Sequence, residues 1–223
     1  MILFSSGQAR KNLFAMAAYT LRRGVVSDAA AVLDIYRQEK MIMLDDDIEA
    51  GTDAEVEFWK FWEGKWAWRL EQESQIFIVA VVENEVVAVG RGGVNINEKG
   101  DNVSLLEIRE KEASVSFELG KTTADDIPAY TGKDDEELSL GPVCRTFDAE
   151  INGMFVRPAF QRQGIGKALY WAMLEAMPDK DVTVWTWIGN TGALQFYLAQ
   201  GCLPVGCRKR SSAIVRFACV HSS

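Results

Sequence analysis

The chain has one histidine, four cysteines and five prolines among 223 residues, and each shortage excludes something. The histidine is His221, close to the C-terminus, so histidine-centred catalysis has no other candidate. The cysteines, Cys144, Cys202, Cys207 and Cys219, are scattered over the C-terminal third without zinc-type pairing. A zinc site would need nearly all of these thiols to converge, so no metal is expected. They read instead as free, buried thiols in a reducing, cytoplasmic compartment. No apolar run approaches the roughly 18 residues a membrane span requires, and no membrane partner is expected. Basic residues are also short: 24 Lys and Arg face 32 Asp and Glu, a net charge of −8. That balance argues against a nucleic-acid surface, which needs clustered cations, and is compatible with a cationic substrate.

With 48% apolar and 25% charged residues, the composition is that of an ordinary globular protein. The length suits one full core, hence a single α/β domain with elaborations. Residues 1–27 hold no acid but do hold Arg10, Lys11, Arg22 and Arg23, a transit-peptide composition. Because Arg22 and Arg23 fall in the first strand, residues 1–16 are read as a flexible extension before a domain covering 17–221.

The pattern predicts a strand at Tyr19–Arg23 and a helix N-capped by Asp28 with apolar positions Ala31, Val32, Ile35 and Tyr36. A second helix follows at about Asp53–Glu73, with Trp59, Trp62 and Trp66 turned to the core. Gln75–Val82 and Glu85–Arg91 form a hairpin across Glu83-Asn84. Residues 94–149 differ in composition, are rich in acids and read as an insertion, a solvated acidic lid by default. Then come a strand at Glu150–Val156, a helix at Gly164–Met177 closed by Pro178, a strand at Val182–Ile188, a helix at Asn190–Gln200 and a last strand at Ala213–Val220. Strands alternating with helices after an antiparallel start imply a mixed α/β sheet.

The turn Gln161-Arg162-Gln163-Gly164-Ile165-Gly166-Lys167, between a strand and a helix, suits an anion, because the first helical turn has unpaired N–H groups. A P-loop reading fails: Gln161 stands where a glycine is needed, and Ala168 where Ser or Thr is needed. A dinucleotide fingerprint fails too, with Leu169 at the third glycine. The spacing Gln161-x-x-Gly164-x-Gly166 resembles the acetyl-CoA motif of the GNAT superfamily of N-acetyltransferases. The two glycines would let a pyrophosphate approach without Cβ clashes, and Arg162 and Lys167 could add charge.

Three neighbours extend the resemblance. Glu150-Ile-Asn-Gly-Met-Phe-Val156 takes the place of the family's fourth strand, whose splayed edge pairs with pantetheine. Gly153 would suit a bulge there, with Met154, Phe155 and Val156 supplying backbone groups. Asn190-x-x-Ala193-x-x-Phe196-Tyr197, ending in Gly201, is similar to the family's next helix, which implies that Asn190 contacts the cofactor and Tyr197 protonates the departing thiolate. Cys202 departs from the family's usual large aromatic residue. The N-terminal elements also match in order, so the resemblance covers roughly residues 17–220 apart from the insertion.

The resemblance implies a GNAT-like fold with antiparallel N-terminal strands, splayed central strands and helices on both faces. It further implies acetyl-CoA as co-substrate and attack by a neutral primary amine in a ternary complex. Such an amine is protonated near neutral pH, so a base or water relay is needed. By the same resemblance Glu150 is the candidate, with Asp148 in reserve, and a backbone N–H, that of Val156, meets the oxyanion. Asp45–Asp47, Glu49 and the tryptophans would suit a cationic amine flanked by apolar surface. A non-catalytic CoA-binding module and transfer of a longer acyl group are the alternatives. Monomer and homodimer are both compatible with the sequence.

Overall fold

Period-two apolar runs and period-3.6 runs alternate along the chain, and each finds its partner in one mixed sheet flanked by helices. A computed structural model describes residues 18–39, 50–94, 137–139, 148–177, 181–209 and 213–219. The sequence readings of residues 1–16 and of Asp45–Asp47, Glu49, Cys144, Pro178 and His221 lie outside these, as does most of the insertion. Among the described residues no helix is long and apolar enough to cross a membrane.

The strands are β1 (Thr20–Arg23), β2 (Gln75–Val82), β3 (Glu85–Val94), β4 (Glu137–Ser139), β5 (Ala149–Val156), β6 (Val182–Trp187), β7 (Leu203–Lys209) and β8 (Ala213–Cys219). Their spatial order is β1-β2-β3-β5-β6-β8-β7-β4. All neighbours run antiparallel except β5 and β6, which are parallel. The helices are α1 (Ala29–Gln38), α2 (Asp53–Glu71), α3 (Ile165–Glu175) and α4 (Thr191–Ala199).

Local chemistry sets most boundaries. Glu83 and Asn84 both take positive φ, 48° and 69°, the conformation a two-residue hairpin requires. Thr52 caps α2 by accepting from Glu55 N, and Asn190 caps α4 by accepting from Ala193 N. Asp28 acts differently from the expected cap: its carboxylate accepts from Val25 N and pairs with Arg22 at 2.6 Å. The guanidinium beside it holds the Asp28 carboxyl below its usual range, and the pair ties β1 to the start of α1.

Alternation along β5 divides the core. Ala149 and Ile151 pack under α3 and α4 with Tyr170, Met173 and Phe217. Phe155 packs on the opposite face against Tyr36, Trp66 and Val89, beneath α1 and α2. Of the three tryptophans expected in the core, only Trp66 is fully enclosed, while Trp59 and Trp62 are half-buried at its border.

Helix α3 lies close to the sheet because β3 is glycine-rich at the contact. A Cβ on Gly90 would stand 3.0 Å from Met173 Cγ, and one on Gly92 only 2.5 Å from the Glu150 carbonyl oxygen. Gly92→Ala should therefore lower unfolding stability by about 1–3 kcal/mol in denaturant titration. An unchanged midpoint would mean that the Glu150 backbone can retreat at no cost.

Candidate functional site

The site begins with an interrupted ladder. β5 and β6 pair only from Ala149↔Val182 to Ile151↔Val184, after which β6 continues against β8 alone. On its other edge β5 stays joined to β3, with a register shift that leaves Asn152 as the extra residue between Ile151 and Gly153. The bulge thus falls on Asn152, one residue before the glycine expected to host it. Beyond it, Met154, Phe155 and Val156 continue as strand with no neighbour on the β6 side.

Which backbone groups face that opening follows from alternation. Arg157 N donates to Val87 O of β3, so the N–H and C=O groups of Val156 and Met154 point the other way. One of these is already engaged: Gln161 Nε2 donates to Val156 O at 2.9 Å. Gln163 Nε2 likewise donates to Ala159 O at 3.1 Å, so both glutamine side chains shape the turn itself.

The mouth of α3 faces the same opening. Gly164, the N-cap residue, has φ 84°, and Arg162 has φ 61°; no side chain caps the helix. The first-turn N–H groups of Ile165, Gly166 and Lys167 are therefore left without intrahelical acceptors. A Cβ built on Gly166 would lie 3.7 Å from Val156 Cγ2 and 3.8 Å from Phe196 Cε2, ordinary contact distances. The protein alone could accept alanine there, and the glycine keeps a cradle open between β5 and α4. Arg162 and Lys167 are exposed, and the Ile165 side chain is buried beneath the turn.

Asn190 sits at the exposed start of α4 with its Oδ1 engaged by Ala193 N at 3.1 Å, so only its NH2 group can turn outward. Tyr197 is 6% exposed, with ring centroids 5.6 Å from Phe217 and 6.4 Å from Tyr170. Burial, with Cys219 and Cys202 close by, pushes its hydroxyl well above the ordinary phenol range, so it keeps its proton at neutral pH. Glu150 lies between Ala149 and Ile151 and hence points to the face that carries α1 and α2. Its Oε1 accepts from Asn152 Nδ2 at 2.9 Å. The structure thus gathers the glycine turn, Met154–Val156 and α4 about one cleft, with Glu150 at the foot of the parting.

Phe196 is a cleft residue that sequence reasoning passed over in favour of its neighbour Tyr197. Adjacent helical residues diverge by about 100°, and only the position of α3 decides which of them meets the turn. Among the described residues no group of three or more His, Cys, Asp or Glu is arranged to hold a metal.

The family model described as the acetyltransferase (GNAT) family matches residues 31–202. Among solved structures, the chain is similar to the PaiA N-acetyltransferase of Thermoplasma acidophilum in complex with coenzyme A. That match has a TM-score of 0.52 at 10% identity and covers 89% of this chain and 98% of the other. The ribosomal-protein-S18-alanine N-acetyltransferase of Escherichia coli matches with a TM-score of 0.51 at 13% identity, covering 92% and 97%. The spermidine N-acetyltransferase of Vibrio cholerae matches with 0.52 at 11%, covering 90% and 92%. Comparison with curated proteins finds no match.

Since the Tyr197 hydroxyl makes no hydrogen bond with any described residue, Tyr197→Phe should change stability by less than about 1 kcal/mol. Tyr197→Ala should cost about 3–5 kcal/mol. Thermal or denaturant unfolding of both variants measures this, and a large loss in the Phe variant would assign the hydroxyl a structural bond.

Proposed function

The chain belongs to the GNAT acetyltransferase family, and from that premise we propose that it moves an acetyl group from acetyl-CoA to a primary amine. The amine attacks directly while both substrates are bound. The observation that carries this reading is the parting of β5 from β6 after Ile151, opposite an uncapped helix mouth. The residues fit the carrier. Gly166 leaves open a cradle that a Cβ would fill, and three first-turn amides face it. Met154 and Val156 offer backbone donors along a free strand edge, as an added strand would require.

Bound acetyl-CoA supplies an activated acetyl thioester. In this reading Ile165, Gly166 and Lys167 hold its diphosphate through their amides, with Arg162, Lys167, Gln161, Gln163 and the NH2 group of Asn190 around it. Met154 and Val156 hold its arm along the free edge, whereas the Phe155 backbone expected to join them is turned to β3 and its ring supports the strand from the other face. Glu150 takes a proton from the acceptor's ammonium, directly or through water, and leaves the neutral amine to attack. The Val156 N–H meets the charge that develops on the carbonyl oxygen. Tyr197, kept protonated by its burial, returns a proton to the departing sulfur. The free thiols Cys202 and Cys219 support a reducing, cytoplasmic setting.

Calorimetry with CoA tests the first half. Wild-type protein should bind, and Gly166→Ala should bind at least about tenfold more weakly with an unfolding midpoint no lower than that of the wild type. Release of free thiol with an amine panel tests the second half. Glu150→Gln should slow transfer most below the amine's own pKa, and Tyr197→Phe should lower kcat while leaving acetyl-CoA affinity unchanged. CoA binding with no transfer to any amine would favour a CoA-binding module instead. Unchanged pH–rate profiles in both variants would reject the two proton-transfer roles.

A further inference from the structure

On the face of β5 away from α3, two guanidiniums share one indole. Arg69 Cζ stands 4.8 Å and Arg91 Cζ 5.5 Å from the centroid of the Trp66 ring. Neither arginine pairs with a carboxylate among the described residues. Their charges oppose one another: Arg69 is held below its ordinary pKa by burial first and by Arg91 next.

Three polar atoms at the same place are buried without any partner: Tyr36 OH, Trp66 Nε1 and Arg91 Nε. Tyr36 is 6% exposed and Trp66 1%, so these atoms lie at the inner end of the cluster. The Tyr36 hydroxyl lies within the field of both arginines, which partly offset the rise that burial imposes on it. Indole and guanidinium N–H groups can only donate, and a phenol can donate as well. Orphaned buried donors beside two cations with no carboxylate partner among the described residues are costly, and one kind of occupant answers every deficit: a small anion with several acceptor oxygens.

The location says what such an anion would belong to. The Tyr36 ring is 4.7 Å from that of Phe155. Its hydroxyl lies 3.4 Å from where a Cβ on Gly153 would be. Arg91 is in register with Gly153, and Gly93 of the same strand is in register with Glu150. The cluster therefore borders the parted strand on the face to which Glu150 points, while the half-buried guanidiniums reach its rim.

We propose that Tyr36, Trp66, Arg69 and Arg91 form a carboxylate-binding subsite that grips the acceptor by an acid group separate from its reacting amine, so that the acceptor is an amino acid. This rests on the acetyl-transfer reading above. The guanidinium fork matches a planar carboxylate in two-point contact, and donors below it complete the shell. The cationic acceptor expected from the sequence becomes a zwitterion, cationic only at its amine end.

Two measurements test the subsite. Calorimetry with a panel of N-acetyl amino acids, the matching N-acetyl amino acid amides and inorganic phosphate reads the pocket without turnover. The acids should bind at least about tenfold more tightly than the amides. Arg69→Gln should lose that preference. Arg91→Lys, which keeps charge and stem but not the fork, should also lose it with its circular dichroism unchanged. In thiol-release kinetics, kcat/KM should favour amino acids over amino acid amides by a similar factor. Both arginine variants should lower it for the acids, through KM, and leave it unchanged for the amides. Equal binding of acids and amides, a preference that survives both variants, or phosphate binding as tight as the acids would overturn the proposal. Selective binding of the acids with no transfer to any amine would keep the subsite and sink the acetyl-transfer reading.

Discussion

A strand that loses a neighbour halfway along the sheet must still satisfy its peptide groups, and that constraint organises this molecule. β5 is paired on both edges through Ile151 and on one edge after it. Backbone donors and acceptors inside a protein are rarely left without partners. The protein meets part of the deficit itself, with Gln161 donating to Val156 O. The rest, including the amides of Met154 and Val156, has no partner in β6, and in the proposed reading a bound molecule completes it. The first turn of α3 has the same deficit at the same place, so an extended, amide-bearing ligand with an anionic head answers both.

The two faces of β5 divide the work. Toward α3, Met154 and Val156 join Ile165 and Leu169, and glycines in β3 let the helix settle closely. Toward α1 and α2, Phe155 packs with Tyr36 and Trp66, and Arg69 and Arg91 gather around that indole. In the proposed reading, one short strand has the donor's binding edge along its side and the acceptor's subsite on one face, so that little has to move for the two to meet.

The parts legible in the sequence were those set by local geometry. The Glu83-Asn84 hairpin requires positive φ at both residues, and the turn from Gln161 to Gly166 has its left-handed positions at Arg162 and Gly164. Elements held by distant partners were not legible. β7 escaped notice because Pro204 and Gly206 interrupt its alternation, and β8 supplies the register, with a shift at that point. β4 is a three-residue edge strand inside a segment that reads as loop, fixed by its pairing with β7. Helical spacing identified the inward face of α2, yet only the packing of α1 decided that Trp66 alone would be sealed. The arginine cluster left no trace at all, since Tyr36, Arg69 and Arg91 come from three elements with no common motif.

Arg157, the last residue before the turn, pairs with Asp34 of α1 at 3.0 Å and with Glu85 at the start of β3. Its side chain is 18% exposed, but Asp34 and Glu85 are 45% and 53% exposed, so solvent weakens both contacts. Three segments distant in sequence are thereby pinned at the hinge where strand becomes turn. Reactions between two bound molecules lose rate steeply when the partners are misplaced by an ångström. The triad of charges acts as a jig: drift of α1, which carries Tyr36, away from the turn would break the Arg157–Asp34 pair.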